Sequence, residues 1–181
     1  MKSYLTKDNK QITIRRPNEA DAERVISYAK ILFASTDQVL TTPEEYKITV
    51  GEEKSWINSF KNNPNSIILI AESGGLVIGL LDFTAKSRKK VAHSGEFGVS
   101  VHPDYQGKGI GKAMIETLLQ WAESNSQIEK VVLQVFATNT HAIKLYKELG
   151  FQEEGRHIKA IRQPSGVYVD LVQMYIETKN K

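Results

Sequence analysis

Apolar and polar positions along the chain change period several times, and each change marks an element. Ile12 and Ile14 alternate with polar neighbours, which predicts a short first strand, and Arg16-Pro17-Asn18 then breaks the chain before a helix with Asn18 as its N-cap. From Glu19 to Phe33, the residues Ala22, Val25, Ile26, Ala29 and Phe33 fall at helical spacing. Glu44 to Phe60 carries Tyr46, Val50, Trp56, Ile57 and Phe60 less regularly and reads as a second helical region. Two apolar runs, Ile67 to Ala71 and Leu76 to Phe83, flank Ser73-Gly74-Gly75 and predict a β-hairpin. A further strand runs from Gly95 to Val101, with Phe97, Val99 and Val101 on one face and Glu96, Gly98 and Ser100 on the other. After Gly109 the period returns to that of a helix, through Ile110, Ala113, Met114, Leu118, Trp121 and Ala122. Val131 to Phe136 is nearly unbroken apolar sequence, as in a buried central strand.

Asn139 can cap a helix whose apolar positions are Ala142, Leu145, Tyr146 and Leu149, and Gly150 stands where a left-handed stop belongs. Two last strands, Phe151 to Arg162 and Val167 to Ile176, are joined by the turn Gln163-Pro164-Ser165-Gly166. The order βααβββαβαββ predicts an α/β fold with a mixed sheet.

The 181 residues, 40% apolar and 25% charged, suit one soluble domain spanning 1–181, with polar tails at 1–10 and 177–181. The absence of cysteine excludes a disulfide framework, a thiolate metal cluster and a cysteine nucleophile. No apolar run is long enough to span a bilayer and Met1 to Gln11 does not resemble a signal peptide, so no membrane and a cytoplasmic location are expected. The net charge of +3 comes from scattered basic residues, so nucleic acid is not an expected partner. His93, His102, His141 and His157 lack metal-ligand spacing, so no metal is expected, and Ser100 does not stand in a nucleophile elbow.

The candidate chemistry lies in Gln106-Gly107-Lys108-Gly109-Ile110-Gly111-Lys112, between a strand and a helix. Glycines there allow a tight turn, and the N–H groups and dipole at the helix start favour an anion such as a diphosphate. Gly107 and Gly111 are separated by three residues where a P-loop needs four, and Ala113 stands in place of its Ser or Thr, which disfavours ATP. Lys112 occupies the position of the third glycine of a dinucleotide fingerprint, which disfavours NAD. The loop by itself leaves open a turn that binds nothing.

The loop resembles the Gln/Arg-x-x-Gly-x-Gly/Ala signature of the GNAT family of N-acetyltransferases through Gln106, Gly109 and Gly111, preceded by Val99-Ser100-Val101-His102-Pro103-Asp104-Tyr105. A second block, Asn139 to Phe151, resembles the family's Asn-x-x-Ala-x-x-Leu-Tyr-x-x-x-Gly-Phe segment. The resemblance is strongest from Glu96 to Phe151, and Tyr168-Val169-Asp170 with Met174 resembles bacterial amino-acid and ribosomal-protein N-terminal acetyltransferases. It implies the acyl-CoA N-acyltransferase fold, acetyl-CoA as cosubstrate, and cofactor contacts at Val99, Ser100, Val101, Gln106, Gly107, Lys108, Gly109, Ile110, Gly111, Lys112, Asn139 and Tyr146. It also implies Tyr146 as proton donor to the departing thiolate, Glu96 as base, direct transfer to a primary amine of an amino acid, small molecule or protein N-terminus, and a possible homodimer through the last strands.

An aliphatic amine with a pKa of about 10 is neutral in roughly one molecule per thousand at pH 7, which is why a base or a proton-accepting water chain is wanted; Glu96 is the candidate base, with a solvated strand carboxylate as its alternative. The rival class is a non-catalytic acyl-CoA sensor, against which Glu96 and Tyr146 argue. Asp37, Glu44, Glu45, Glu52 and Glu53 read as a solvated helix face, with attraction of a cationic amine as the alternative. Trp56 and Phe60 suit either an acceptor pocket or packing of the second helix.

Overall fold

A computed structural model describes residues 2–178 of the chain. These form eight strands and four α-helices, in the order β1 (Lys2–Leu5), β2 (Gln11–Arg15), α1 (Ala22–Ser35), α2 (Val50–Lys61), β3 (Ile67–Ser73), β4 (Leu76–Ala85), β5 (Ser94–Val101), α3 (Ile110–Ser124), β6 (Lys130–Phe136), α4 (Thr140–Glu148), β7 (Gln152–Arg162) and β8 (Tyr168–Glu177). The mixed α/β class and the element order from α1 onward are as expected. The additional strand is β1, where a polar tail was expected. It is an edge strand with Lys2, Ser3 and Leu5 exposed, so it carries no alternating apolar signal. At the other end Glu177 closes β8, and Thr178 is held by its N–H to Glu129 O at 3.0 Å and its hydroxyl to Ile128 O at 2.8 Å. Met1 and residues 179–181, the outermost residues of the two expected tails, lie outside the described residues.

The chain divides into two compact units, Met1–Phe83 with Val99–Leu118, and Thr84–Gly98 with Leu119–Lys181. In the first, β1, β2, β3 and β4 form an antiparallel meander, and the end of β5 joins β4 through His102 N–H to Ile78 O at 2.9 Å. Gly74 and Gly75, both at positive φ, make the tight hairpin turn between β3 and β4. Helix α1 lays Val25, Tyr28 and Leu32 on Ile70 and Val77, while Ala22 packs with Ile57 and Phe60 of α2 against Ile68. Phe60 is buried, with Trp56 edge-on to it at 5.4 Å, so this pair serves helix packing. The start of α1 is fixed twice. Asn18 caps the short 3-10 turn Glu19–Asp21 that leads into it. Asp21, 3% exposed, receives two bonds of 2.8 Å from Arg15 and one of 3.0 Å from Arg24, and both arginines also bind Glu72 of β3.

Helix α2 begins at Val50, not at Glu44. Thr49 and Glu52 form a reciprocal capping box, while Glu44 to Tyr46 lie in a turn closed by Glu45 N–H to Thr42 O at 3.1 Å. The acidic residues therefore do not share one solvated helix face. Glu44, Glu45 and Glu52 are exposed, but Glu53 is 5% exposed and its Oε1 has no hydrogen-bond partner among the described residues.

In the second unit β5 runs parallel to β6 with Glu96 opposite Val132, and β8 pairs antiparallel with both β6 and β7. Ala122, Ile128, Val131, Leu133, Val172 and Met174 are buried in its core. Gly150, at φ 95°, ends α4 and returns the chain into Phe151 and β7. Among the described residues no helix is long and apolar enough to cross a membrane, and no group of three His, Asp or Glu side chains is placed to hold a metal ion.

Candidate active site

The glycine loop and its approach lie wholly in the first unit. Strand β5 ends at Val101, and a 3-10 turn, Pro103–Tyr105, follows, with His102 Nδ1 accepting from Asp104 N–H. Gln106 folds back so that its Nε2 donates to Val101 O at 3.1 Å, which ties the loop entrance to the strand end. Ser100 Oγ accepts the Tyr28 hydroxyl at 2.8 Å, so α1 is fastened to the same strand. Gly107 and Gly109 have φ of 73° and 87°, conformations that L side chains rarely adopt. A Cβ on either would meet no described atom within 4 Å beyond its own residue and its chain neighbours, so the loop backbone borders open space. The first hydrogen bond of α3 runs from Ala113 N–H to Gly109 O at 3.0 Å. The N–H groups of Ile110, Gly111 and Lys112 therefore have no acceptor within the helix and stand at its positive end. Open space, two left-handed glycines and three free donors fit a diphosphate. Lys108 and Lys112 add positive charge, each also near a carboxylate, Asp8 at 3.2 Å and Glu116 at 3.9 Å.

The second unit holds the other predicted residues. Tyr146 faces inward from α4, 7% exposed, with Phe97 of β5 and Phe151 edge-on to it at 6.1 and 5.9 Å. Its phenol makes no hydrogen bond to a described residue, and burial pushes its pKa up to about 12, so it remains protonated throughout the neutral range. Asn139 is the N-cap of α4, its Oδ1 accepting from Ala142 N–H at 3.2 Å. Glu96 is exposed on β5.

Residues 33–151 match the model of the acetyltransferase (GNAT) family. The chain belongs to that family. As a GNAT acetyltransferase it takes its acetyl group from acetyl-CoA. It is similar to the L-amino acid N-acetyltransferase AaaT of Escherichia coli, 28% identical over 159 residues that make up 84% of this chain and 97% of that protein. It is also similar to the spermidine N(1)-acetyltransferase of Vibrio cholerae, 28% identical over 133 residues, 74% of this chain and 75% of that one. The structure of yncA, a putative acetyltransferase of Salmonella typhimurium with its cofactor acetyl-CoA, shares the fold with a TM-score of 0.82 at 22% identity, covering 94% of this chain and 95% of that one.

Three features of this GNAT acetyltransferase carried no sequence signal. The contact of Lys108 with Asp8 joins positions a hundred residues apart across a strand that the apolar pattern does not reveal. The Tyr28 to Ser100 bond joins a helix and a strand that only the tertiary fold brings together. A cavity of about 470 Å³ lies in the first unit, lined among others by Tyr28, Ile31, Val77, Ile78, His102 and Tyr105, and none of the predicted contacts lines it.

Proposed function

We propose that this acetyltransferase moves acetyl to a primary amine by direct attack within a ternary complex, the whole chain acting as one N-acetyltransferase domain in the cytoplasm. The observation that carries the reading is the glycine loop, whose free N–H groups and open backbone suit the diphosphate of coenzyme A. Val99 to Val101, Gln106 to Lys112, Asn139 and Tyr146 are the proposed cofactor contacts. Acetyl-CoA, when bound, supplies a thioester carbonyl already activated for attack. The protein's own part is to orient the amine and to manage two protons. Glu96 takes the proton the amine must lose as its nitrogen bonds to the acetyl carbon. Tyr146 gives its phenolic proton to the sulfur as the carbon–sulfur bond breaks.

The acceptor is proposed to be cationic in its resting form. Glu53 supports this, because a buried carboxyl with an unpartnered oxygen is costly unless something pairs with it. Two relatives act, by name, on L-amino acids and on spermidine, both of which carry ammonium groups. A homodimer is proposed through β7, whose residues are exposed almost throughout.

The test is release of free coenzyme A thiol from acetyl-CoA with a panel of amino acids, polyamines and peptides bearing a free N-terminus. Acetylated amine equal in amount to the thiol released is expected for at least one class. Binding of acetyl-CoA with no thiol released for any amine would overturn the reading.

A further inference from the structure

The connection between β1 and β2 is organised well beyond what a short surface turn needs. Asn9 N–H donates to Thr6 O and Thr6 N–H to Lys10 O, both at 2.9 Å, and Asn9 has φ 58° while Lys7 and Asp8 do not have positive φ. This is a three-residue hairpin loop, a type I turn followed by a left-handed residue, with Lys7 as its first central residue. Thr6 is 5% exposed; its hydroxyl accepts Lys10 N–H at 2.9 Å and lies 2.5 Å from Asp8 Oδ1. The strand leading in is anchored by the Tyr4 hydroxyl, 2.8 Å from Thr117 Oγ1 on α3.

The turn so built reaches the glycine loop at one residue. Lys7 N–H donates to Lys108 O at 3.2 Å, and Asp8 Oδ2 lies 3.2 Å from Lys108 Nζ. The ion pair is partly exposed and contributes little, so the weight falls on the backbone bond. In a trans peptide the C=O and the following N–H point in opposite directions. Holding Lys108 O toward the turn therefore aims Gly109 N–H away from it. Gly109, at φ 87° and without a side chain, has nothing of its own to fix that direction.

We propose that the β1–β2 turn is a positioning element for the diphosphate of coenzyme A, acting through the Lys108 carbonyl to set the direction of the Gly109 N–H. The proposal rests on the reading of this loop as the diphosphate site.

Lys7→Pro tests it, because the first central position of a type I turn accepts proline while the N–H is lost. Lys7→Ala removes the same side chain and keeps the N–H. Affinities for coenzyme A and for pantetheine, which lacks the diphosphate, are measured by calorimetry, alongside kcat and KM. K7P is expected to bind coenzyme A about 5- to 10-fold more weakly than K7A and to raise the KM for acetyl-CoA by a similar factor, the loss of one hydrogen bond. Pantetheine affinity, acceptor KM and kcat at saturating acetyl-CoA should not change, and K7A should stay within about twofold of wild type. Thr6→Val, which loosens the turn but keeps the Lys7 N–H, should give a smaller loss of the same selectivity and covers the case of a K7P protein that does not fold. Unchanged coenzyme A affinity in these variants, with wild type still preferring coenzyme A to pantetheine, would refute the positioning role and leave the site standing. Equal wild-type affinity for coenzyme A and pantetheine would remove the site itself.

Discussion

Replacing Tyr146 by Phe removes one oxygen and leaves the aromatic packing in place. The ring contacts at 6.1 Å to Phe97 and 5.9 Å to Phe151 belong to ring carbons that Phe retains. The hydroxyl bonds to no described residue, so its loss breaks nothing in the free protein, and the melting temperature should move by no more than about 2 °C. Catalysis is a different matter, because the phenol, with its pKa pushed up by burial to about 12, is a protonated donor across the whole working range. A positioned general acid contributes roughly 10² to 10⁴ in rate. Since a thiolate leaves readily even unaided, the lower end applies, and kcat should fall about 100-fold. The assay is thiol release at saturating acetyl-CoA and acceptor, from pH 6 to 10. Wild type should show no loss of its acid in that window, because the phenol titrates above it. A Y146F protein that melts like wild type and keeps its kcat would refute the argument, and a large drop in stability would mean that the phenol has a structural partner.

The ionic cluster at the start of α1 sets a stability prediction. Asp21→Asn leaves Arg15 and Arg24 still bound to Glu72, so the cost should be about 2 to 3 kcal/mol, less than for an isolated buried pair, and the melting temperature should drop by about 5 to 10 °C. The hydrogen bonds from Arg15 hold the Asp21 carboxyl below its ordinary pKa, so its contribution is complete above about pH 4 and lost as acid protonates it; D21N should flatten that acid limb in urea titrations at pH 7 and pH 3, and parallel limbs would contradict it. Glu96→Gln should lower turnover most near pH 7 and least at pH 9 to 10, where the amine loses its own proton, and an unaltered pH–rate profile would exclude Glu96 as base. Glu53→Gln should stabilise the free protein by about 1 kcal/mol at pH 7 while raising the KM for a cationic acceptor several-fold. Burial raises the Glu53 pKa, so the wild-type protein loses stability relative to E53Q as pH rises through that range; identical melting curves at pH 4 and pH 8, or an unchanged acceptor KM, would contradict the assignment.

What the sequence revealed and what it hid divide along the range of the interactions involved. Helix α4 with its Asn139 cap and Gly150 stop, the β3–β4 hairpin at Gly74-Gly75 and the strand-to-helix glycine loop were legible because each rests on contacts within a few residues. The start of α2 was also written locally, as Thr49-x-x-Glu52, and that capping box outweighs the loose helical spacing of Glu44 and Tyr46 before it. Strand β1 was not legible, since an edge strand with three exposed residues needs only the hydrogen bonds of β2 to form. The burial of Glu53 was hidden for the opposite reason. Carboxylates are rarely buried without a partner, and only the packing of α2 against α1 and β3 turns this one inward.

Strand β7 has a consequence for how the protein behaves when concentrated. An exposed outer strand offers a row of unpaired backbone groups to any other chain in solution, which is the usual route to open-ended aggregation. Here the register slips between Glu153 and Gly155 and again between His157 and Ile161, and Lys159 is turned to φ 52° with its N–H taken by Asp170 at 2.8 Å. The row is thus broken into short pieces, and Glu153, Glu154, Arg156, Lys159 and Arg162 place charge along it. A strand interrupted in this way is a poor template for an endless stack, because no long run of its edge keeps the regular spacing that another strand would have to match.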